Sequence, residues 1–435
     1  MKRLILAIAA LAAAPAHADD ISDFVANQSD ELVSLYKTLH ANPELSGQEV
    51  ETAKRLADEL RGLGFTVTEG VGGTGVVGVI ENGDGPVVLI RTDMDALPVT
   101  EETGLPYAST KTVTLASGAP TGVMHACGHD IHMTAWTGTA RYLAGNKDEW
   151  SGTLVMIGQP AEETGKGAAA MLADGLYERF PVPDHALALH DNAERVAGQI
   201  GIGDGFNMAN VDSVDILVRG RGGHGAYPQT TKDPVVLASR IVGALQTLVS
   251  REVDPQETAV VTVGAFNAGT RYNVIPDDAH LQLTVRSYTD DVRTQLLDGI
   301  KRIAEGEAIV AGLPEDMRPE VTWGDEYTPA LFNTAEQTAK VREVLTERFG
   351  AEQVQDQRPS MAGEDFARYH RENRDTESTL FWVGAVKRET WEAASGDPSK
   401  LPSLHSAKFA PDPVPTISAG TEGMITAALA LFKGQ

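Results

Sequence analysis

The sequence predicts an α/β protein in which a mostly parallel sheet is flanked by helices and interrupted by an inserted α+β unit. Compact apolar runs suited to buried strands alternate with segments of helical apolar spacing. The pattern changes character near Asn207 and resumes after residue 325. With 435 residues at 42% hydrophobic content, the chain is too long for a single ordinary core.

The elements follow in order. Met1-Lys2-Arg3, an apolar run from Leu4 to Ala14 and Ala16-His17-Ala18 have the form of a cleavable signal peptide, residues 1–18, with cleavage after Ala18. No segment approaches the roughly 20 apolar residues of a membrane span. An exported protein, periplasmic or secreted, is expected. Ile21 to His40 and Glu49 to Leu63 have helical spacing, and Gly75 to Ile80 and Pro86 to Ile90 are strand-like. A helix over His132 to Leu143, a strand over Thr153 to Ile157, a helix over Gly167 to Leu176 and a strand over Ala186 to Leu189 come next. Strands alternating with helices make a parallel sheet covered on both faces, whose sites form where strands end in loops.

The inserted unit is placed at 207–325, with the catalytic domain at 19–206 and 326–435. Its expected strands are Ser213 to Arg219, Thr258 to Phe266, Ala279 to Ser287 and Glu320 to Trp323; its helices are Pro234 to Val249 and Asp291 to Ala311. Leu380 to Val386 then reads as a strand of the first domain.

Chemistry concentrates at the strand ends. Met124-His125-Ala126-Cys127-Gly128-His129-Asp130-Ile131-His132 carries three histidines and the only cysteine of the chain. A lone cysteine makes no internal disulfide, and among imidazoles and a carboxylate it has the surroundings of a thiolate metal ligand. The alternative is a buried, inert thiol. Asp93 and Asp95 follow one strand, Glu162 and Glu163 another, and His190 with Asp191 closes a third. Adjacent Glu162 and Glu163 allow one carboxylate to bind metal and the other to shuttle protons; the alternative is that both cap a helix starting near Thr164.

Two look-alikes fail on context. Thr164-Gly165-Lys166-Gly167 lacks the Ser or Thr after lysine and the upstream glycine spacing of a P-loop. Gly73-Thr74-Gly75-Val76-Val77-Gly78 has dinucleotide-binding spacing, but a strand and a turn follow it instead of a helix. Gly-x-Ser-x-Gly is absent, which removes the usual serine-hydrolase reading. A net charge of −25 disfavours nucleic acid and anionic membranes as partners.

Taken together, Arg91-Thr92-Asp93-Met94-Asp95-Ala96-Leu97-Pro98, His125-Ala126-Cys127-Gly128-His129-Asp130, Gln159-Pro160-Ala161-Glu162-Glu163, Gly222-Gly223-His224-Gly225, Asn273-Val274-Ile275-Pro276 and Leu404-His405-Ser406 resemble the M20 metallopeptidase family. The resemblance is to its amidohydrolase branch of N-acyl-amino-acid, hippurate and auxin-conjugate hydrolases, and it spans the mature chain. It implies two divalent metal ions held by Cys127, His129, Glu163, His190 and His405, with Cys127 bridging. Zinc suits these ligands best, with manganese or cobalt as alternatives. It implies Glu162 as general base and acid, and His224 as the donor that stabilises the oxyanion, in many members from the partner subunit. Asn273 and Arg286 are candidates for the substrate's carboxylate, Arg286 also reading as an exposed strand salt bridge. Asp95 and, less directly, Asp130 are expected to orient ligating histidines. His125, His132 and His185 are expected to be supporting or structural, and His40, His280 and His370 to be surface or satisfied polar residues. The implied protein is an exported amidohydrolase of small amides such as N-acyl amino acids, dimeric through the inserted unit. The alternatives are a dipeptidase or carboxypeptidase on the same scaffold, and a periplasmic binding protein.

Overall fold

A computed structural model describes residues 20–433 except 116 and 325; the expected signal peptide lies outside the described residues. The larger sheet has eight strands in the spatial order Thr66–Val71, Gly75–Asn82, Gly152–Gln159, Val87–Asp93, His185–Val196, Glu377–Val386, Ile200–Ile202 and Val354–Asp356. The central four, Gly152–Gln159 through Glu377–Val386, run parallel, and the two strands on one flank continue antiparallel. Val88, Leu89 and Ile90 are all buried, as a strand covered on both faces requires.

Helices Asp20–Ala41, Val50–Gly62, His129–Gly145, Ala335–Phe349 and Pro413–Phe432 cover one face, around Leu56, Ile90, Trp136, Phe381 and Met424. The opposite face packs Met171, Phe366 and Tyr369 against Ala188 and Leu380. Pro413–Phe432 escaped the sequence reading because it is buried nearly all round and shows no polar stripe. The helix expected over Gly167 to Leu176 is instead two pieces, Gly167–Ala173 and Leu176–Arg179, broken at left-handed Gly175.

A second, four-stranded antiparallel sheet orders Ala259–Ala268, Asp278–Ser287, Asn210–Arg219 and Glu320–Trp323. Helices Pro234–Thr247 and Asp290–Val310 pack on it around a separate core that includes Ile216, Ile241, Leu283 and Ile300.

Candidate metal centre

The parallel strands end on one side of the sheet, and that is where the motifs meet. Strand His185–Val196 runs on past His190 and Asp191, so these residues lie within the strand and do not close it, as the sequence suggested. Its pairing with the Val87–Asp93 strand stops at Ala188, which leaves His190 free of that neighbour. Cys127 lies in the turn before helix His129–Gly145. Gly128 has φ 78°, and a Cβ there would fall 2.3 Å from an Asp191 carboxylate oxygen, so the turn needs glycine. Glu162 and Glu163 sit in a single turn, Glu162–Thr164, and the helix after it starts only at Gly167. Ala161 (φ 52°) and His405 (φ 65°) are left-handed non-glycine residues beside the site, a conformation that surrounding contacts must hold. Fully buried Glu49 accepts the Ala161 N–H at 2.8 Å, and the His405 N–H bonds the Ala126 carbonyl at 2.8 Å.

All five expected ligands converge. Cys127 Sγ is 3.7 Å from His190 Nε2 and 3.2 Å from His405 Nε2. Glu163 Oε2 is 3.4 Å from His405 Nε2, and Glu163 Oε1 is 3.9 Å from His129 Nε2. Glu162 Oε2 also stands 3.9 Å from His129 Nε2. The ligand atoms of Cys127, His129 and His190 form one compact group and those of Cys127, Glu163 and His405 another, with the sulfur common to both. Cys127, Glu162, Glu163, His190 and His405 line a cavity of about 830 Å³ with Arg286 and Trp382.

Two observations fit this donor set to divalent ions. His129 donates Nδ1–H to the Asp95 carbonyl at 2.8 Å, and His190 donates Nδ1–H to the Asp191 carbonyl at 2.7 Å. That tautomer leaves both Nε2 lone pairs available to a metal. Moreover, His129 Nε2 and Glu163 Oε1 are buried without a hydrogen-bond partner, an arrangement native proteins rarely leave unsatisfied.

Electrostatics agree. Burial pushes the Cys127 thiol well above its ordinary range, and the charge of Glu163 adds to the shift. Burial likewise raises Glu163 to about 7, against the pull of His129. Glu162 is raised well above the usual carboxylate range, first by burial and then by the nearby charges of Glu364 and Glu163. A bound dication reverses this logic for its ligands and deprotonates a coordinating thiol.

The remaining predicted residues divide. Arg286 lines the cavity; its Nε–H reaches Thr284 Oγ1 and its Nη1–H the Met361 carbonyl, so the alternative of an exposed salt bridge is corrected. His224 and Asn273 do not line the cavity: His224 is exposed on a short strand pair, where it lies opposite Val274, next to Asn273. Asp95 orients His129 through its carbonyl, and its carboxylate accepts the backbone N–H groups of Glu162 and Glu163. Asp130 holds no ligating histidine. It bonds His40 Nδ1 at 2.7 Å, and of the two expectations for His40 the structure shows the satisfied polar residue, buried between Asp130 and Glu101. His132 bridges Asp93 Oδ1 and the Asp191 N–H behind the site. The sequence marks Asp93 and Asp191 at the site only as strand-end carboxylates and leaves Glu49 and Glu364 unremarked, since carboxylates are abundant in this acidic chain.

Such a sheet, with thiol, imidazole and carboxylate donors at its strand ends, defines an α/β protein with a candidate metal centre. The sequence pattern of peptidase family M20/M25/M40 matches residues 89–398, and the chain belongs to that family. Hippurate hydrolase of Campylobacter jejuni is 40% identical over 338 residues, 77% of this chain and 84% of that protein. N-acetyl-L-cysteine deacetylase of Bacillus subtilis is 36% identical, over 78% of this chain and 77% of its own length. A crystal structure of a dinuclear metal binding peptidase of the M20 family from Bacillus subtilis superposes with a TM-score of 0.75 at 29% identity, covering 94% of this chain and 99% of that one.

Proposed function

We propose that the chain is an exported, dinuclear amidohydrolase that cleaves N-acyl amino acids or similar small amides to a carboxylate and a free amine. The observation that carries this is the pair Glu162 and Glu163 on one turn: both carboxylates lie by His129 and face the cavity, and Glu163 alone also joins the group of Cys127 and His405. The similarity to a hippurate hydrolase and an N-acetyl-L-cysteine deacetylase supports the substrate class. Cys127, His129, Glu163, His190 and His405 would hold two divalent ions, zinc by donor chemistry, with manganese or cobalt as alternatives.

When bound, such ions supply a polarised carbonyl and a water acidic enough to attack near neutral pH. Glu162 takes the proton of the attacking water and returns it to the leaving amine, a role its burial favours by making the protonated form accessible. Arg286 receives the substrate carboxylate; burial without a partner carboxylate lowers its pKa, and an anionic substrate would complete it. His224 and Asn273 act from a second copy of the chain. Supporting this, Tyr227, Tyr272 and Val274 are large apolar side chains exposed around His224, as a homodimer contact requires.

The test is hydrolysis of hippurate and N-acetyl amino acids by metal-stripped protein before and after zinc or manganese is added, with unblocked dipeptides in parallel. Metal-restored turnover of the acylated substrates supports the reading. Turnover confined to dipeptides replaces it with a peptidase.

A further inference from the structure

Arg91 is fully buried, and its guanidinium is saturated. Nε–H donates to Gln159 Oε1 at 2.9 Å, and Nη1–H to Asp93 Oδ2 at 2.7 Å. The fork meets Glu364 Oε1 at 2.8 Å and Oε2 at 3.3 Å, and Asp365 Oδ1 at 3.3 Å. Asp365 further accepts from Gln159 Nε2 at 2.5 Å and from the Ala168 N–H at 3.0 Å, and Glu364 accepts from the Phe366 N–H at 2.9 Å. One guanidinium thus faces Asp93, Glu364 and Asp365. His132 meets the other oxygen of Asp93 at 2.7 Å. A buried ion cluster of this kind is poor evidence for a stability role, since apolar side chains of similar volume would serve as well or better.

The segment immediately before Glu364 has another role in the site. Gln357, Arg358, Ser360 and Gly363 form one wall of the cavity. Two of its carbonyls reach the four-stranded sheet: Met361 O accepts from Arg286 Nη1 at 3.2 Å, and Ser360 O accepts from Tyr288 OH at 3.2 Å. The wall is held at its Glu364 end by the larger sheet and along its length by backbone hydrogen bonds of Gln357, Ser360 and Ala362 to Ile202, Asn207 and Ala209, and its Met361 carbonyl receives Arg286.

We propose that Glu364 is a positioning residue for substrate recognition: clamped by Arg91, it fixes the 357–363 wall and, through the Met361 carbonyl, the direction of Arg286. This rests on the amidohydrolase reading, in which Arg286 receives the substrate carboxylate. The bidentate geometry matters because a planar fork fixes orientation as well as distance.

Glu364→Gln tests it in the full-length protein, with Tyr288→Phe as a partly exposed second variant that removes only the hydroxyl contact to Ser360. In metal-stripped protein, amides of 357–363 are expected to exchange hydrogen faster in Glu364→Gln than in wild type. In metal-loaded protein, KM for an N-acyl amino acid is expected to rise about 10–100-fold, with a much smaller change in kcat, as for a displaced substrate contact. Tyr288→Phe raises KM in the same direction, and the double variant raises it by less than the product of the single effects, because both act on one wall. Unchanged exchange across 357–363, or a fall in kcat at constant KM, overturns the proposal. If Glu364→Gln does not fold, Tyr288→Phe decides: unchanged KM overturns the proposal, and a raised KM with faster exchange supports it. A wild-type protein inactive on every acylated substrate overturns the amidohydrolase reading instead, and the exchange measurement then decides the clamp alone.

Discussion

Asp95 fixes the backbone of Glu162: its Oδ1 accepts the Glu162 N–H at 3.1 Å, its Oδ2 the Glu163 N–H at 3.0 Å, and its carbonyl the His129 Nδ1–H at 2.8 Å. Three functional side chains thereby depend on one residue that contributes no ligand. Asp95→Asn puts an amide N–H against a backbone N–H at one of those positions. Metal affinity should fall about 10–100-fold, as when the partners that orient metal ligands are removed. Competition against a chromophoric chelator measures this, and wild-type affinity in the variant would contradict the assigned role.

Glu162→Gln separates proton transfer from metal binding. Glutamine keeps the size and the backbone contacts to Asp95 but holds no titratable proton. Turnover is expected to fall about 10²–10⁴-fold, the usual contribution of general acid–base catalysis. Metal content by elemental analysis should stay at the wild-type level, because Glu163 remains beside His405. Retained turnover removes Glu162 from the mechanism, and lost metal makes it a ligand.

The dimer reading has a test independent of both. His224 is exposed and outside its own chain's cavity, so on this reading an intact site draws Glu162 from one chain and His224 from another. Glu162→Gln and His224→Ala proteins should each be nearly inactive alone. After mixing and subunit exchange, activity should return, since one of the two sites in a mixed dimer carries neither lesion. No recovery, with exchange confirmed by native mass spectrometry, would place His224 in its own chain's site or outside the chemistry.

How much was legible depended on chemistry that is rare in the sequence. Cys127, His129, His190 and His405 stand out because ligation needs those side chains, and short motifs at strand ends announce them. The supports were hidden for the opposite reason. Arg91 meets Glu364 across 273 positions and Glu49 meets the Ala161 N–H across 112, both through residue types common on any surface. The parallel strands could be read because burial on both faces makes continuous apolar runs, whereas the same all-round burial erased the helical signature of Pro413–Phe432. His40 illustrates the limit, since nothing local says that Asp130 and Glu101 will enclose it.

That enclosure has a measurable consequence. Burial alone would lower the pKa of His40, but hydrogen bonds to Asp130 and Glu101 outweigh it and push the imidazole up from 6.5 to about 10. Between those values the folded chain holds a proton that the unfolded chain has released, so stability must fall as pH rises through that window. The contribution is fully present below pH 6.5 and gone above about 10. Glu101 works in the opposite sense, its lowered pKa adding stability that is lost only in acid. His40→Gln should therefore destabilise the chelator-treated protein most near pH 6, with the difference from wild type shrinking steadily toward pH 10. Apparent thermal midpoints of both proteins, measured across that range, give the answer. The strong negative charge of the whole chain affects both alike, so a difference independent of pH would mean that His40 gains no proton on folding and would overturn this account.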